Sequence, residues 1–180
     1  MVPTDKTVTG VLDFYAGLFA DRRDEPLTII EFGVLHGGSL IALAELFPLA
    51  IIIGVDADAP AAEFMATKPD RVRFIRGNCT DATLLHSLPS ADIIIDDASH
   101  FYKQARLTYL STWCARLNPN GWYCIEDWQA GYRNAAKYGI DGGLRRLLFE
   151  CLDTMQAGSQ YAADRIILHN RTFCMHKGAL

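Results

Sequence analysis

The chain has 180 residues, of which 50% are hydrophobic, 11% aromatic and 21% charged, and its formal net charge is −4. The length predicts a single domain over 1–180, and the composition excludes a disordered chain. An acidic pI of about 5.7, without a stripe rich in lysine and arginine, argues against binding nucleic acid by charge.

The compartment is also constrained by the sequence. The longest apolar stretches are too short to cross a bilayer, and residues 1–5 do not open a signal peptide. The five cysteines form an odd set without a C-x-x-C pair, which favours reduced and mostly buried thiols over disulfides or a zinc knuckle. We therefore expect a cytoplasmic protein that binds no membrane, and the sequence leaves a homo-oligomer open.

A regular alternation of segments predicts the fold. Residues 1–26 predict an N-terminal helical segment followed by a charged turn. The apolar positions of this segment are Val8, Val11, Leu12, Tyr15, Leu18 and Phe19. Continuous β-branched apolar runs then occur over 27–32, 51–56, 72–76, 91–96 and 121–126, each followed by a turn and, between runs, by a helical pattern. Such runs indicate strands covered on both faces, as in the mostly parallel sheet of a doubly wound α/β fold.

The second half of the chain adds helices and a hairpin. Apolar stripes predict helices over 107–117 and 141–157. Residues 165–169 and 172–176 predict a β-hairpin, which places at least one antiparallel strand on the sheet. Residues 128–143 are a candidate lid loop in which Trp128 and Tyr132 would contact an acceptor. Packing of the loop's aromatic side chains against the sheet is the alternative.

The turn after the first strand predicts a ligand site, because open α/β sheets bind ligands at the carboxyl ends of their strands. This turn follows Glu31 and contains Gly33, Gly37 and Ser39. Glycines let the backbone approach a ligand, and the following helix N-terminus offers unpaired N–H groups. Leu35 breaks the G-x-G-x-x-G dinucleotide pattern, which disfavours a pyrophosphate cofactor and leaves a nucleoside with an amino-acid tail.

Polar residues also follow the second and third strands. Asp56 is placed to accept hydrogen bonds from ribose hydroxyls, and capping of the following helix is the alternative. Asn78, Cys79 and Thr80 would line an adenine edge. For this third turn, capping of a helix by Thr80 or Asp81 is the competing explanation.

Four carboxylates follow the fourth and fifth strands: Asp96 and Asp97, then Glu126 and Asp127. Gathered at the ends of neighbouring strands, they would repel one another and lose solvation. A hard divalent cation, Mg²⁺ or Mn²⁺, removes this conflict, and a solvated acidic rim is the alternative. His100 lies three residues beyond Asp97 and is the candidate general base, unless it only caps a helix.

These segments resemble the class I S-adenosylmethionine-dependent methyltransferases, and more narrowly the Mg²⁺-dependent sugar O-methyltransferases of macrolide biosynthesis and the cephalosporin-hydroxylase-like group. The matching segments are 31–39, 54–56, 95–100 and 123–127. The resemblance implies a seven-stranded sheet of order 3-2-1-4-5-7-6 that ends in the antiparallel hairpin. It implies the base at His100, metal ligation by Asp97, Glu126 and Asp127, and cofactor contacts by Glu31, Gly33, Gly37, Ser39, Asp56, Asn78, Cys79, Thr80 and Asp96.

The resemblance has departures. The family often has arginine where this chain has His36, and a Gly-Asp pair where it has Gly77 and Asn78. We also expect 180 residues to lack the additional N-terminal domain or long lids of the macrolide enzymes.

We expect methyl transfer from S-adenosylmethionine to a hydroxyl of a small molecule, a sugar or a glycosylated natural product, assisted by Mg²⁺ or Mn²⁺. One alternative is a nicotinamide-dependent oxidoreductase, which the glycine spacing and the lack of a Tyr-x-x-x-Lys pair disfavour. The other is a protein that binds the methyl donor without catalysis.

Overall fold

A computed structural model describes residues 4–179, which build a seven-stranded sheet of order β3-β2-β1-β4-β5-β7-β6. The strands are β1 Thr28–Phe32, β2 Ile51–Asp56, β3 Val72–Arg76, β4 Ala91–Asp96, β5 Leu117–Glu126, β6 Arg165–Leu168 and β7 Thr172–His176. Strands β1 to β5 pair in parallel, whereas β7 is antiparallel to both β5 and β6. The predicted doubly wound α/β sheet, its strand order and its terminal hairpin are confirmed.

Helices cover both faces of the sheet. They are α1 Asp5–Val8, α2 Val11–Leu18, α3 Gly38–Leu46, α4 Ala62–Thr67, α5 Ala82–Ser87, α6 Tyr102–Trp113, α7 Ala130–Arg133, α8 Ala135–Tyr138 and α9 Gly143–Ala157. Short 3₁₀ turns span Ala20–Arg22 and Ile140–Gly142. Within residues 4–179, none of the helices combines the length and apolarity that a membrane span requires.

The core explains why the strands are apolar without alternation. Successive side chains of a strand point to opposite faces, and both faces are covered here. Ile93 packs into a cluster with residues of α2 and α3, whereas its neighbour Ile94 packs on the other face with residues of α6 and α9. Both side chains are completely buried.

The N-terminal segment differs from the single apolar helix that its pattern predicts. Gly10 has a φ of 76° and divides the segment into α1 and α2. This break turns Val8 outward, so that 89% of its surface is exposed, whereas Val11 and Tyr15 are buried as predicted. A left-handed glycine ends a helix locally, and a periodic pattern does not reveal that.

Two other helix predictions have wrong boundaries. Helix α6 ends at Trp113, because Leu117 pairs with Ala91 and begins β5. Leu107, assigned to the apolar stripe of this helix, is 45% exposed. Helix α9 begins at Gly143 rather than 141, following a left-handed residue. Pairing across the sheet and the turn geometry override the local apolar period in these segments.

The candidate lid, 128–143, consists of α7, α8 and a 3₁₀ turn that pack on one another and on α9. Its closing motion stays a prediction. The five cysteines are free thiols, as expected, and Cys124, Cys151 and Cys174 are buried. Cys114 is the exposed exception.

Candidate functional site

The carboxyl ends of β1, β4 and β5 lead into three residues with unusual backbone conformations. Leu35, His100 and Asp127 have φ values of 50°, 57° and 50°. Residues other than glycine rarely adopt positive φ, and such strain tends to collect at functional sites, where the surrounding fold enforces it. Two of these three residues, His100 and Asp127, are candidate site residues from the sequence.

Two of the glycines in the first turn have a steric reason to be glycine. Gly33 has a φ of 88°, and a Cβ there would lie 2.3 Å from the carbonyl oxygen of Asp97. Gly37 has a φ of 92°, and a Cβ there would meet the ring of Phe64 at 2.3 Å. The absence of side chains therefore lets the turn after β1 lie directly against the end of β4 at Gly33 and against α4 at Gly37.

A cavity of about 600 Å³ opens at this edge of the sheet. Its lining includes six of the residues assigned from the sequence, namely Gly33, Ser39, Asp56, Asp97, His100 and Asp127. Thr4, Asp5 and Lys6 of the N-terminal segment also line it. The structure thus brings the turn after β1, the end of β2 and the ends of β4 and β5 to a single cavity.

Glu31 and Ser39 form a hydrogen-bonded pair beside this cavity. Glu31 is completely buried, and its Oε2 accepts a hydrogen bond of 2.8 Å from the Ser39 hydroxyl. Burial raises the pKa of Glu31, and the ammonium of Lys6 opposes that rise. The bond ties the end of β1 to the first turn of α3.

Asp56 holds the turn after β1 in place. Its Oδ2 accepts from the backbone N–H groups of Val34 and Leu35, at 2.7 and 3.1 Å. The alternative that Asp56 caps the next helix is wrong, because the N-cap residue of α4 is Ala61 and no side chain caps that helix. A carboxylate has about four acceptor sites, so these bonds leave room for ribose hydroxyls.

The turn after β3 has a mainly local structure. Asn78 Oδ1 accepts from the backbone N–H and the hydroxyl of Thr80, at 2.9 and 2.8 Å. Asp81 caps α5 through Thr83, which confirms the capping alternative for this aspartate. Burial raises the pKa of the Cys79 thiol to about 11. Adenine contacts by Asn78, Cys79 and Thr80 stay a prediction.

Asp96 is buried at the end of β4. Its Oδ1 accepts from the backbone N–H of Ala98 at 3.3 Å. Burial raises the pKa of this carboxyl to about 7. A hydrogen bond from the hydroxyl of the buried Tyr123 opposes that rise, so this carboxyl has a polar neighbour within the core.

The ammonium of Lys6 lies among three carboxylates. Its Nζ is 2.6 Å from Asp97 Oδ2, 2.6 Å from Glu126 Oε2 and 3.3 Å from Glu31 Oε1. Only 2% of the lysine surface is exposed. Burial by itself lowers the pKa of Lys6, but the three negative charges outweigh it and raise that pKa well above its usual value. We call Lys6, Glu31, Asp97 and Glu126 the buried cluster.

Glu126 is engaged on both sides. Its Oε2 contacts Lys6, and its Oε1 accepts a hydrogen bond of 2.8 Å from the hydroxyl of Tyr15 on α2. Burial raises the pKa of Glu126 to about 8, against the opposing effect of Lys6. Lys6 and Tyr15 of the N-terminal segment therefore both contact Glu126 on β5.

Asp127 has a different partner. The guanidinium of Arg171, on the link between β6 and β7, contacts Asp127 Oδ1 through Nε at 2.6 Å and through Nη2 at 2.5 Å. The hairpin that the sequence predicts therefore supplies a cation to the end of β5. This paired contact fixes the direction of the Asp127 carboxylate.

The three predicted metal ligands are distributed over two groups. Asp97, His100 and Asp127 each offer a ligand atom within 4.8 Å of the others, and we call them the cavity cluster. Glu31, Asp97 and Glu126 form the other such group. Asp97 belongs to both, whereas Glu126 and Asp127 fall into different groups.

The cavity cluster fits a divalent ion. Its two carboxylates are partly exposed at the edge of the 600 Å³ cavity, where water can complete an octahedron, and the imidazole of His100 lies beside them. In the buried cluster the ammonium already contacts all three carboxylates. Metal ligation by Glu126 stays a prediction.

Trp128 and Tyr132 line a neighbouring cavity of about 300 Å³ together with the glycines of the candidate lid. Tyr132 is 62% exposed, and the indole N–H of Trp128 donates to the carbonyl of His169 at 3.2 Å. A separate cavity of about 250 Å³ lies on the lid side of His100 and Asp127. Contact between the acceptor and Trp128 or Tyr132 stays a prediction.

The sequence reasoning missed four residues of this region: Lys6, Tyr15, Gln129 and Arg171. Gln129 lines the 250 Å³ cavity, and both its amide atoms are buried without a partner among residues 4–179. The excess of carboxylates at the strand ends did signal a missing cation. A lysine or arginine from the chain ends supplies positive charge as well as a metal does, and sequence spacing cannot show which residues return to the site.

Comparison with known proteins identifies relatives of this chain. Residues 30–128 match the family model described as a methyltransferase domain. A Streptomyces olivaceus 8-demethyl-8-alpha-L-rhamnosyl tetracenomycin-C 2'-O-methyltransferase is 33% identical over 142 residues, which cover 73% of this chain and 36% of that protein. A Streptomyces fradiae demethylmacrocin O-methyltransferase is 26% identical over 125 residues, 63% of this chain and 30% of that protein.

Solved structures show the same fold. The MycE methyltransferase from the mycinamycin biosynthetic pathway, in complex with Mg and SAH, superposes with a TM-score of 0.79 at 25% identity, covering 93% of this chain and 49% of MycE. The chain thus spans about a third of the length of the two Streptomyces enzymes and about half of MycE. The family model covers more than half of the 180 residues, and the chain belongs to the methyltransferase domain family.

Proposed function

We propose that this chain is a single catalytic domain that transfers a methyl group from S-adenosylmethionine to a hydroxyl of a sugar or glycosylated natural product, with the help of Mg²⁺ or Mn²⁺. The observation that carries the proposal is the convergence of Asp97, His100 and Asp127 at the edge of the cavity that Gly33 and Asp56 also line. Similarity to sugar O-methyltransferases supports the choice of acceptor. We also propose a cytoplasmic setting, without a nucleic-acid or membrane partner.

The methyl donor is assigned to the 600 Å³ cavity. The glycine turn after β1 leaves the backbone accessible, and the Asp56 carboxylate retains acceptor capacity for ribose hydroxyls. Ser39, in the first turn of the helix that follows, donates a hydrogen bond to the buried Glu31 on β1. Asp96, buried at the end of β4, is assigned as a further acceptor for the cofactor.

Asp97 and Asp127 are assigned as carboxylate ligands of the divalent ion. When bound, such an ion acts as a Lewis acid that lowers the pKa of the acceptor hydroxyl and orients it. The contact of Arg171 with Asp127 Oδ1 would hold that carboxylate in one orientation. Asp127 follows β5 directly and has a left-handed backbone conformation.

His100 is assigned as the general base. Its ring lies beside the two carboxylates of the cavity cluster and beside the edge of Tyr138, at 5.9 Å between ring centroids. A neutral imidazole there can accept the proton of the acceptor hydroxyl. When bound, S-adenosylmethionine would supply the methyl group, and the main contribution of the chain would be to align the acceptor oxygen with that group.

The acceptor is assigned to the lid side of His100. The 250 Å³ cavity there has His100, Asp127 and Gln129 in its lining, and the unpartnered amide of Gln129 can bond to sugar hydroxyls. Trp128 and Tyr132 would extend this contact to a larger aglycone from the adjoining cavity. Closure of 128–143 over the acceptor would exclude water.

Ligand binding and turnover test the proposal. Thermal unfolding should shift upward with S-adenosylmethionine or its demethylated product and stay unchanged with NADH, since only a ligand that binds the native state stabilises it. Transfer of labelled methyl to a panel of rhamnosylated and other glycosylated acceptors should require Mg²⁺ or Mn²⁺ and stop with EDTA. A shift with NADH alone would favour the oxidoreductase alternative. Donor binding without any methylated product would favour the non-catalytic one.

A further inference from the structure

The buried cluster contains a cation that belongs to the chain itself. Lys6 Nζ lies 2.6 Å from both Asp97 and Glu126, and a third carboxylate, Glu31, lies 3.3 Å away. Three carboxylates around one positive charge, two of them buried and the third, Asp97, 24% exposed, are an arrangement that otherwise calls for a metal. The ammonium meets that need without any ion from solution.

We propose that Lys6 is a tethered cation that occupies the place of a divalent ion between Asp97 and Glu126. It thereby confines the ion of the proposed function to the cavity cluster and excludes Glu126 from its ligands. The proposal rests on the proposed function for the presence of an ion at Asp97 and Asp127. Lys6 acts through the carboxylates it contacts and is therefore a positioning residue.

The geometry of Glu126 supports this assignment. Lys6 and the hydroxyl of Tyr15 contact one carboxylate oxygen each, and Glu126, Lys6 and Tyr15 are all buried, so a metal ion could reach Glu126 only after displacing one of these side chains. Asp97 differs, because it is 24% exposed and also offers an atom to the cavity cluster. Asp97 can therefore face Lys6 on one side and the ion on the other.

Electrostatics gives the expected direction of the change in metal affinity when Lys6 is removed. A fixed ammonium a few ångströms from a divalent ion repels it, and removing the ammonium exposes Glu126 as an additional carboxylate ligand. If Lys6 merely oriented Asp97 and Glu126 for the metal, its removal would weaken ion binding. The two roles thus predict opposite changes in affinity.

The central test measures Mn²⁺ binding by electron paramagnetic resonance, without catalysis. Lys6→Met keeps the chain length and removes the charge. We expect the variant to bind Mn²⁺ about tenfold or more tightly than the unmodified protein, because repulsion is lost and a ligand is gained. An unchanged or weaker affinity overturns the proposal. Lys103→Met is the matched control, since its exposed ammonium contacts only Asp141 at 2.9 Å among the ion pairs of the described chain, and it should leave the affinity unchanged.

Two further variants keep the proposal falsifiable if Lys6→Met fails to fold. Lys6→Arg retains the charge and should bind Mn²⁺ no more tightly than the unmodified protein. Glu126→Gln should retain the Mn²⁺ affinity within about threefold, because Glu126 is not a ligand while Lys6 is present. A loss of about tenfold or more in Glu126→Gln would make Glu126 an ordinary metal ligand and overturn the proposal.

The outcomes separate this proposal from the proposed function. Failure of methyl transfer on every acceptor, with Mn²⁺ affinity that rises in Lys6→Met, would reject the activity and keep the tethered cation. Metal-dependent methyl transfer with unchanged Mn²⁺ affinity in Lys6→Met would do the reverse. Circular dichroism of each variant establishes that the fold is retained.

Discussion

The buried cluster and the cavity cluster share Asp97 but balance their charge in different ways. In the buried cluster, Lys6 contacts all three carboxylates, and protein surrounds Glu31 and Glu126. In the cavity cluster, Asp97 and Asp127 face an open cavity beside His100, and Arg171 contacts one oxygen of Asp127. Carboxylates on the Lys6 side of Asp97 are therefore part of the scaffold, whereas the carboxylate on the cavity side is available for a ligand.

This difference follows from which elements reach each cluster. The parallel strands deliver all the carboxylates to one edge of the sheet, because their carboxyl ends coincide there. The N-terminal segment then covers the side of Glu31 and Glu126 with Lys6 and Tyr15. The residues at the strand ends do not determine which carboxylates are covered. That depends on how the segment before β1 folds back across the sheet.

The largest effect is expected from Asp97→Asn, which breaks both clusters at once. The substitution removes a negative charge that Lys6 contacts at 2.6 Å and that the cavity cluster also uses. We expect a loss of about 100-fold or more in Mn²⁺ affinity and loss of metal-dependent turnover. Binding of S-adenosylmethionine, measured by calorimetry, should be unchanged. Exposed Asp153→Asn is the control, and equal Mn²⁺ binding in both variants would contradict the assignment.

His100→Ala tests the cavity cluster alone. His100 lies outside the buried cluster, so Lys6 and its carboxylates should remain in place. If the imidazole accepts the hydroxyl proton, kcat should fall by roughly 10²–10⁴-fold, with less effect on donor affinity. His86→Ala, on α5, is the matched control. A rate that stays within about threefold would remove His100 from the reaction.

The sequence predicted the sheet and the edge at which the site lies, because both depend on local patterns. The apolar runs at 51–56, 72–76 and 91–96 have the bounds of β2, β3 and β4. Gly33 was assigned from its spacing, and its positive φ supplies the reason. The division of Asp97, Glu126 and Asp127 between two clusters was not predictable, since it depends on Lys6 and Arg171, which lie 91 and 44 residues away from Asp97 and Asp127 along the chain.

Gly33→Ala is expected to move the turn that lies against Asp97, the residue shared by the two clusters. A Cβ would meet the Asp97 carbonyl at 2.3 Å, and the φ of 88° is unfavourable for alanine. Strain and steric overlap together should lower the free energy of unfolding by roughly 2–5 kcal/mol in denaturant titrations. Gly158→Ala separates the two effects. Gly158 also has a positive φ of 63° but has open space around its Cβ position, so about 1–2 kcal/mol is expected there.

Tyr15→Phe breaks only the buried cluster and should have the smallest effect. It removes the hydroxyl that donates to Glu126 Oε1 at 2.8 Å and keeps the buried ring. A buried carboxylate that loses a donor should lower the free energy of unfolding by about 1–3 kcal/mol. Tyr132→Phe, at an exposed ring, should stay within about 0.5 kcal/mol.

The same variant distinguishes the two clusters by metal binding. Because Glu126 lies on the Lys6 side, loss of its tyrosine partner should leave Mn²⁺ affinity within about threefold even though the protein is less stable. A variant that loses stability and Mn²⁺ affinity together would mean that Glu126 belongs functionally to the cavity cluster. The two clusters would then differ in position but not in function, because a change in the buried cluster would alter metal binding in the cavity cluster.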